Sequence, residues 1–391
     1  MVFGDRLKRR ASPFKIEGGN DMKIVRNKAK EIIMIILLRF FCAHVHLRED
    51  DEEDLLMTDV VHFSDPYEYV TAMGNTKNPI STGPEAIAYK KKKIEKHKPG
   101  FKAIPTIMLT NSTTVETIRK AHRLGIKVVK YMPAGTTTNT EKGYIPLYDL
   151  IRTKGDVLRE MQKRKMILST HMELVRFPGA TEDIHYLYRE EEAIPYLEAL
   201  IKVFPKLKII VEHASTKKMI EFVKAAPAHV FATLTLQHAL FHKGYVFDKN
   251  LKVKDPLYLC LPCLKEIEDT LAVREAMVSG NPKFFFGTDD APHRLYKKMG
   301  PKPPSGISTP GIVAIALLCK IFEEANALKR LENFAARFGA KAYGLSLKGW
   351  KKMKVAKEPW TVAESYNDIV PLMSGETLDW QLVGEVFDLT H

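Results

Sequence analysis

One pattern repeats along most of this chain and limits what it can fold into. A short apolar run ends in a polar or titratable residue, and an amphipathic stretch follows. The apolar runs are Phe40–Val45, Tyr67–Met73, Ala103–Leu109, Ile126–Met132, Met166–Ser169, Leu207–Val211, Val230–Leu234 and Phe284–Phe286. The stretches between them read as helices: Pro84–Lys96, Thr114–Leu124, Leu147–Lys163, Glu190–Val203, Thr216–Ala225 and Leu264–Val278. Strands that alternate with helices form parallel β/α units. Eight such runs predict a (β/α)8 TIM barrel of the α/β class. An open doubly wound sheet fits less well, because no Gly-rich turn follows the first run. Beyond Pro310, the apolar helical stretches Ile312–Asn326 and Leu328–Phe338 and a tail with Trp350, Trp360 and Trp380 are expected to pack against the barrel.

Charge sets the domain reading. Residues 1–31 carry nine Lys/Arg and four Asp/Glu with little apolar periodicity, so they read as a basic extension, mobile at its start. Residues 32–391 read as the barrel domain with its C-terminal helices and tail. The whole chain has 60 Lys+Arg against 47 Asp+Glu, a net charge of +13. Such an excess points first to nucleic acid or an anionic membrane. No nucleic-acid motif accompanies it, and the runs Lys90–Lys93 and Lys348–Lys357 read as solvated faces. The longest apolar run, Ile32–Leu38, stops at Arg39, too short to span a bilayer and without a signal-peptide cleavage site. Cys260 and Cys263 form a lone CxxC with no second pair, so they read as small apolar residues near a pocket. A reducing, cytoplasmic setting follows.

In a barrel of this kind, chemistry sits just past the C-terminal ends of the strands. His44 and His46 stand there after the first run, two apart and so on one face, where both imidazoles can reach one metal. His171 follows the fifth run, His213 the sixth and Asp289 the eighth, while Lys130 lies near the end of the fourth. Four imidazoles, a carboxylate and an amine therefore converge on one rim. An ammonium beside divalent metals is repelled and costly to bury. Either Lys130 reacts with CO2 to give a carbamate that bridges two metals, or it snorkels to solvent; these residues alone leave both open.

The segments HVHLRED, VVKYMPAGTTTNTEKG, LSTHMEL, IIVEHAST and FFFGTDDAPH, in that order, resemble the amidohydrolase superfamily and, more closely, the bacterial-type dihydroorotases. The resemblance runs from about Ile36 to Phe387 and includes LYLCLPCLK and VAESYN with VPLMSGET. It implies reversible cyclisation of N-carbamoyl-L-aspartate to L-dihydroorotate plus water. It further implies two zinc ions: His44, His46 and Asp289 on the first, His171 and His213 on the second, and carboxylated Lys130 bridging both around a hydroxide. Asp289 would shuttle the proton. Arg48, Asn75 and His293 would hold the substrate carboxylate, the backbone of Leu261 the ring, and Thr137 and Thr138 would sit on a closing loop. The partner would be the small-molecule substrate, with no nucleic acid or membrane, in a homodimer. The chain departs from the family at HVHLRED for HLHLRDG, MGN for MPN, THMEL for a His-Gly-Glu step, and a second acid at Asp290. A hydantoinase- or allantoinase-type enzyme shares the metal set, and an impaired homologue acting as a scaffold is the non-enzyme alternative.

Overall fold

The computed structural model describes residues 15–17, 22–49, 55, 57–136 and 144–386. Eight strands, β1 (Phe40–Val45), β2 (Tyr67–Ala72), β3 (Ala103–Met108), β4 (Val128–Tyr131), β5 (Ile167–Thr170), β6 (Lys208–Val211), β7 (Val230–Leu234) and β8 (Phe284–Phe286), pair in sequence order. All these pairings are parallel. The sheet closes through a parallel bridge between Val45 and Asp290, so the TIM barrel expected from the alternation is the fold. Each expected run lies within two residues of an observed strand at both ends.

Both faces of these strands are buried, which explains why the runs read as continuously apolar rather than alternating. On one face Phe41, Val128, Ile167, Ile210 and Phe285 cluster with Tyr343 and Trp350 and plug the barrel interior. Two residues further along the same face, with the period of two of a strand, come Lys130, Ser169 and Glu212. The apolar floor thus gives way to a polar layer at the C-terminal rim. The opposite face, including Val129, Leu168, Ile209, Val211 and Phe286, packs under the helices. Phe286 is fully buried, with its ring 6.2 Å from Phe40, 6.0 Å from Tyr67 and 6.3 Å from Phe334. Thr114 and Thr216 cap the helices Val115–Arg123 and Lys217–Ala225, which fixes where those helices leave the rim.

A second, antiparallel sheet of five strands stands beside the barrel in the order Lys15–Glu17, Lys23–Arg26, Ile32–Leu38, Lys352–Ala356, Gln381–Val386. Strand pairing therefore crosses the boundary expected at residue 31, and Lys15–Glu17 and Lys23–Arg26 belong to this sheet rather than to a mobile extension. The reason is local: Ile24 and Val25 are buried against the sheet's neighbours, while the charged residues around them face outward. Ile32–Leu38 is the central strand of this sheet, and among the described residues no helix is long and apolar enough to cross a membrane. The tail packs as expected. Trp380 is fully buried and donates from Nε1 to Glu323 Oε2 at 3.0 Å, while Trp360 donates to the Trp380 carbonyl at 2.7 Å.

Phe286→Ala leaves a cavity where three rings meet. Denaturant unfolding should show a loss of about 3–5 kcal/mol.

Candidate metal centre

The bonds that close the barrel are made by the candidate ligands themselves. Asp289 N donates to the His44 carbonyl at 3.1 Å, and His46 N donates to the Asp290 carbonyl at 3.0 Å. The side chains follow: Asp289 Oδ1 lies 3.3 Å from His44 Nε2 and 3.2 Å from His46 Nε2. One donor atom from each of the three residues falls within 4.8 Å of the others. The His213 ring lies 5.2 Å from that of His44 and 4.7 Å from that of His171. Lys130 Nζ is completely buried and has no hydrogen-bond partner, and His213 Nδ1 is likewise buried without one. Arg48, His213 and Asp289 adopt left-handed backbone, with φ of 61°, 44° and 52°. Non-glycine residues in that region are strained, and such strain clusters at functional sites.

The electrostatics suit a metal. Burial, reinforced by the Lys130 charge, holds His44 well below the usual imidazole range. His213 is pushed well down by burial and by His171, and His46 is lowered by burial. Burial pushes Asp289 up, but His44 and His46 outweigh it and hold the carboxyl below its ordinary value. Neutral imidazoles and an ionised carboxylate are the forms that ligate. Burial brings Lys130 down to about 8. Orphaned donor atoms amid a neutral His set fit a bound divalent cation.

Two carboxylates that the sequence reading passed over stand behind the imidazoles. Glu212, fully buried, meets His44 Nδ1 at 3.0 Å and accepts from Ser169 Oγ at 2.6 Å and Thr233 Oγ1 at 2.7 Å. Glu173, also fully buried, meets His171 Nε2 at 2.6 Å. A carboxylate on the far ring nitrogen fixes the tautomer and aims the other nitrogen. The available signal was parity: Glu212 shares the inward face of Ile210. Asp290, the second acid next to Asp289, accepts from Thr309 N at 2.8 Å and Ser308 Oγ at 3.1 Å, so it pins the loop behind the candidate ligands.

Arg48 donates from Nε and Nη2 to the Pro292 carbonyl, and its Nη2 lies 3.1 Å from His293 Nε2. Arg48 and His293 therefore come together as expected. Asn75 Oδ1 is buried without a partner. Leu261 lines a cavity of ≈ 960 Å³ with Thr136, Tyr186, Arg189 and Ser305, all on segments beyond the strand ends. Thr137 and Thr138 lie outside the described residues. His238, another buried residue missed from the sequence, holds the Leu261 segment: its Nε2 donates to the Pro262 carbonyl at 2.9 Å, and Thr235 Oγ1 sits 2.6 Å from Nδ1. Lys298 Nζ donates to the carbonyls of Leu259, Pro304 and Gly306 and ties two walls of the cavity together.

A (β/α)8 barrel with four imidazoles, a carboxylate and a buried lysine on its C-terminal rim defines a hydrolase of the amidohydrolase type. No protein-family model matches the chain. It is 38% identical over 359 residues to the dihydroorotase of Coxiella burnetii, across 89% of this chain and 97% of that protein. Its structure is similar to that of dihydroorotase in complex with 5-fluoroorotic acid from Saccharomyces cerevisiae, with a TM-score of 0.81 at 29% identity over 90% of this chain and 99% of the other. An L-hydantoinase from Arthrobacter aurescens is more distant, with a TM-score of 0.71 at 14% identity over 93% and 90% of the two chains, a likeness of fold alone. The chain belongs to the dihydroorotase family and is a cyclic amide hydrolase.

His238 gives this account a pH signature. Burial lowers it to about 4 from an ordinary 6.5, and its Nε2–H tautomer is fully partnered. A depressed histidine favours the fold above pH 6.5, and that contribution is lost as pH falls through 4, because the unfolded chain takes up the proton first. The stability difference between wild type and His238→Gln should therefore shrink between pH 6.5 and 4, measured by urea unfolding.

Proposed function

We propose that this chain interconverts N-carbamoyl-L-aspartate and L-dihydroorotate plus water, the cyclisation step of de novo pyrimidine biosynthesis, on a binuclear zinc centre. The observation that supports the reading most is the convergence of His44, His46, His171 and His213 on a buried, unpartnered Lys130, with the Arg48–His293 pair beside them. His44, His46 and Asp289 would hold one zinc and His171 and His213 the other, with carboxylated Lys130 bridging. When bound, the metals lower the pKa of a shared water and polarise the amide carbonyl.

The chain's own residues do the rest. In the hydrolytic direction water adds to the ring amide carbonyl, the C–N bond breaks, and the ring nitrogen leaves with a proton. Asp289, ionised before the reaction, takes the proton from the water and returns it to that nitrogen at hydrogen-bond reach. Arg48 exchanges the Pro292 carbonyl for the substrate carboxylate, which it can grip through two N–H groups. His293 and the Asn75 amide complete that anion site and fix the reacting geometry. The backbone of Leu261 meets the ring, and Thr137 and Thr138 contribute from a closing loop. Glu212 and Glu173 keep His44 and His171 aimed. The enzyme works as a cytoplasmic homodimer in this reading.

The test is turnover of N-carbamoyl-L-aspartate beside hydantoin and allantoin, with and without a chelator. Activity should favour the first and disappear on metal removal. Asp289→Asn should keep metal but lose turnover by a factor of about 10² or more. Near-normal activity in that variant contradicts the proton role, and a preference for hydantoin or allantoin contradicts the substrate.

A further inference from the structure

The N-terminal end of the barrel, opposite the metal ligands, carries a second feature. A cleft of ≈ 590 Å³ opens below β5, β6 and β7, lined by Arg159, Lys163, Lys165, Lys206 and Lys208 with Gln162 and His229. Four separate elements supply these residues. Arg159 and Lys163 are one turn apart near the end of the helix Leu150–Lys163, a like-charge spacing that destabilises a helix by itself. Lys165 occupies a left-handed turn with φ of 55°, just before β5. Lys206 and Lys208 lead into β6, and His229 precedes β7.

The cleft is lined by five cations and no carboxylate. Arg159 pairs with Asp156 at 2.7 Å, an aspartate that is 86% exposed and points away into solvent. Lys208 Nζ donates to the Ala342 carbonyl, a neutral partner. Among the described residues no ion pair holds Lys163, Lys165 or Lys206. Burial and the neighbouring Lys127 lower Lys208, as expected where cations crowd. His229 Nε2 is buried and has no hydrogen-bond partner. Gln162 spends its Oε1 on Lys206 N at 2.9 Å and keeps its amide N–H groups for something else.

These groups are all donors, and their mutual repulsion is relieved by a multivalent anion. The volume falls in the range of small-molecule sites. No aromatic side chain lines the cleft, so there is no platform for stacking a base, which disfavours a nucleic-acid strand. We propose that this cleft binds a di- or triphosphate group, either free or at the end of a nucleotide, held by Lys163, Lys165, Lys206 and Lys208 with the Gln162 amide and the His229 ring at its edge. The site is separate from the proposed reaction and does not depend on it.

Isothermal titration of the full, metal-loaded protein with inorganic pyrophosphate and with ATP, at low salt and without magnesium, tests this. Lys163→Gln/Lys206→Gln removes two donors at exposed positions, and Lys91→Gln/Lys92→Gln removes the same charge elsewhere on the surface. Wild type and the second variant should bind one equivalent saturably, while the first should bind about tenfold or more weakly and keep its turnover. Equal affinity for both probes assigns the site to the phosphates alone; tighter binding of ATP assigns it to a nucleotide. Absence of saturable binding overturns the proposal. So does wild-type affinity in Lys163→Gln/Lys206→Gln, an equal loss in both variants, or preferential binding of duplex DNA.

Discussion

A lysine amine sealed from solvent and left without a hydrogen bond is the constraint on which the centre turns. Lys130 has its aliphatic stem on the inward face of β4 and its Nζ near His44 and His213, imidazoles that burial holds well below their ordinary range. A buried ammonium in that setting is costly, and it repels any divalent ion placed beside it. Its depressed pKa of about 8 leaves a substantial neutral fraction near physiological pH. The neutral amine is the form that attacks CO2, releasing a proton and leaving a carbamate anion. In the proposed centre, that reaction would turn this unfavourable charge into an anionic ligand for the metals.

Fold and chemistry are joined at the seam of the barrel. The bonds that close β1 against the segment after β8 run through His44, His46, Asp289 and Asp290. The left-handed backbone at Asp289 persists because this closure, and the Asp290 bonds to Ser308 and Thr309, fix it from both sides, while His213 is held by its N–H bond to Thr233 Oγ1. Ligand geometry is therefore a property of the closed barrel rather than of flexible loops. The same logic extends outward, where His238 and Lys298 anchor the walls of the cavity lined by Leu261 through backbone carbonyls.

The barrel was legible because its signal is local and repeated eight times: each apolar run carries its own strand, and the candidate ligands sit at or near the C-terminal ends of five of them. The second sheet was not. Ile32–Leu38 is as apolar as any barrel strand, but its partner Lys352–Ala356 lies more than 300 residues away, and no local pattern joins them. The strand Lys23–Arg26 was hidden by charge, since Lys and Arg at its ends masked the buried Ile24 and Val25. Glu212 escaped notice because it adjoins His213 in the chain and looks like an ordinary surface acid until the inward face of β6 is drawn, and Glu173, two residues past His171, lies beyond β5 where no strand parity marks it. The +13 charge, unaccounted for by a small-anion substrate, finds part of its place in the cleft below β5–β7.

The account depends most directly on the chemical state of Lys130. Zinc-loaded protein prepared with ¹³C-labelled bicarbonate and examined by carbon NMR reads that state. A single protein-bound carbamate carbon, absent in Lys130→Ala together with the loss of bound metal and turnover, is the predicted result. A fully active enzyme holding two metals per chain with no carbamate signal would contradict it.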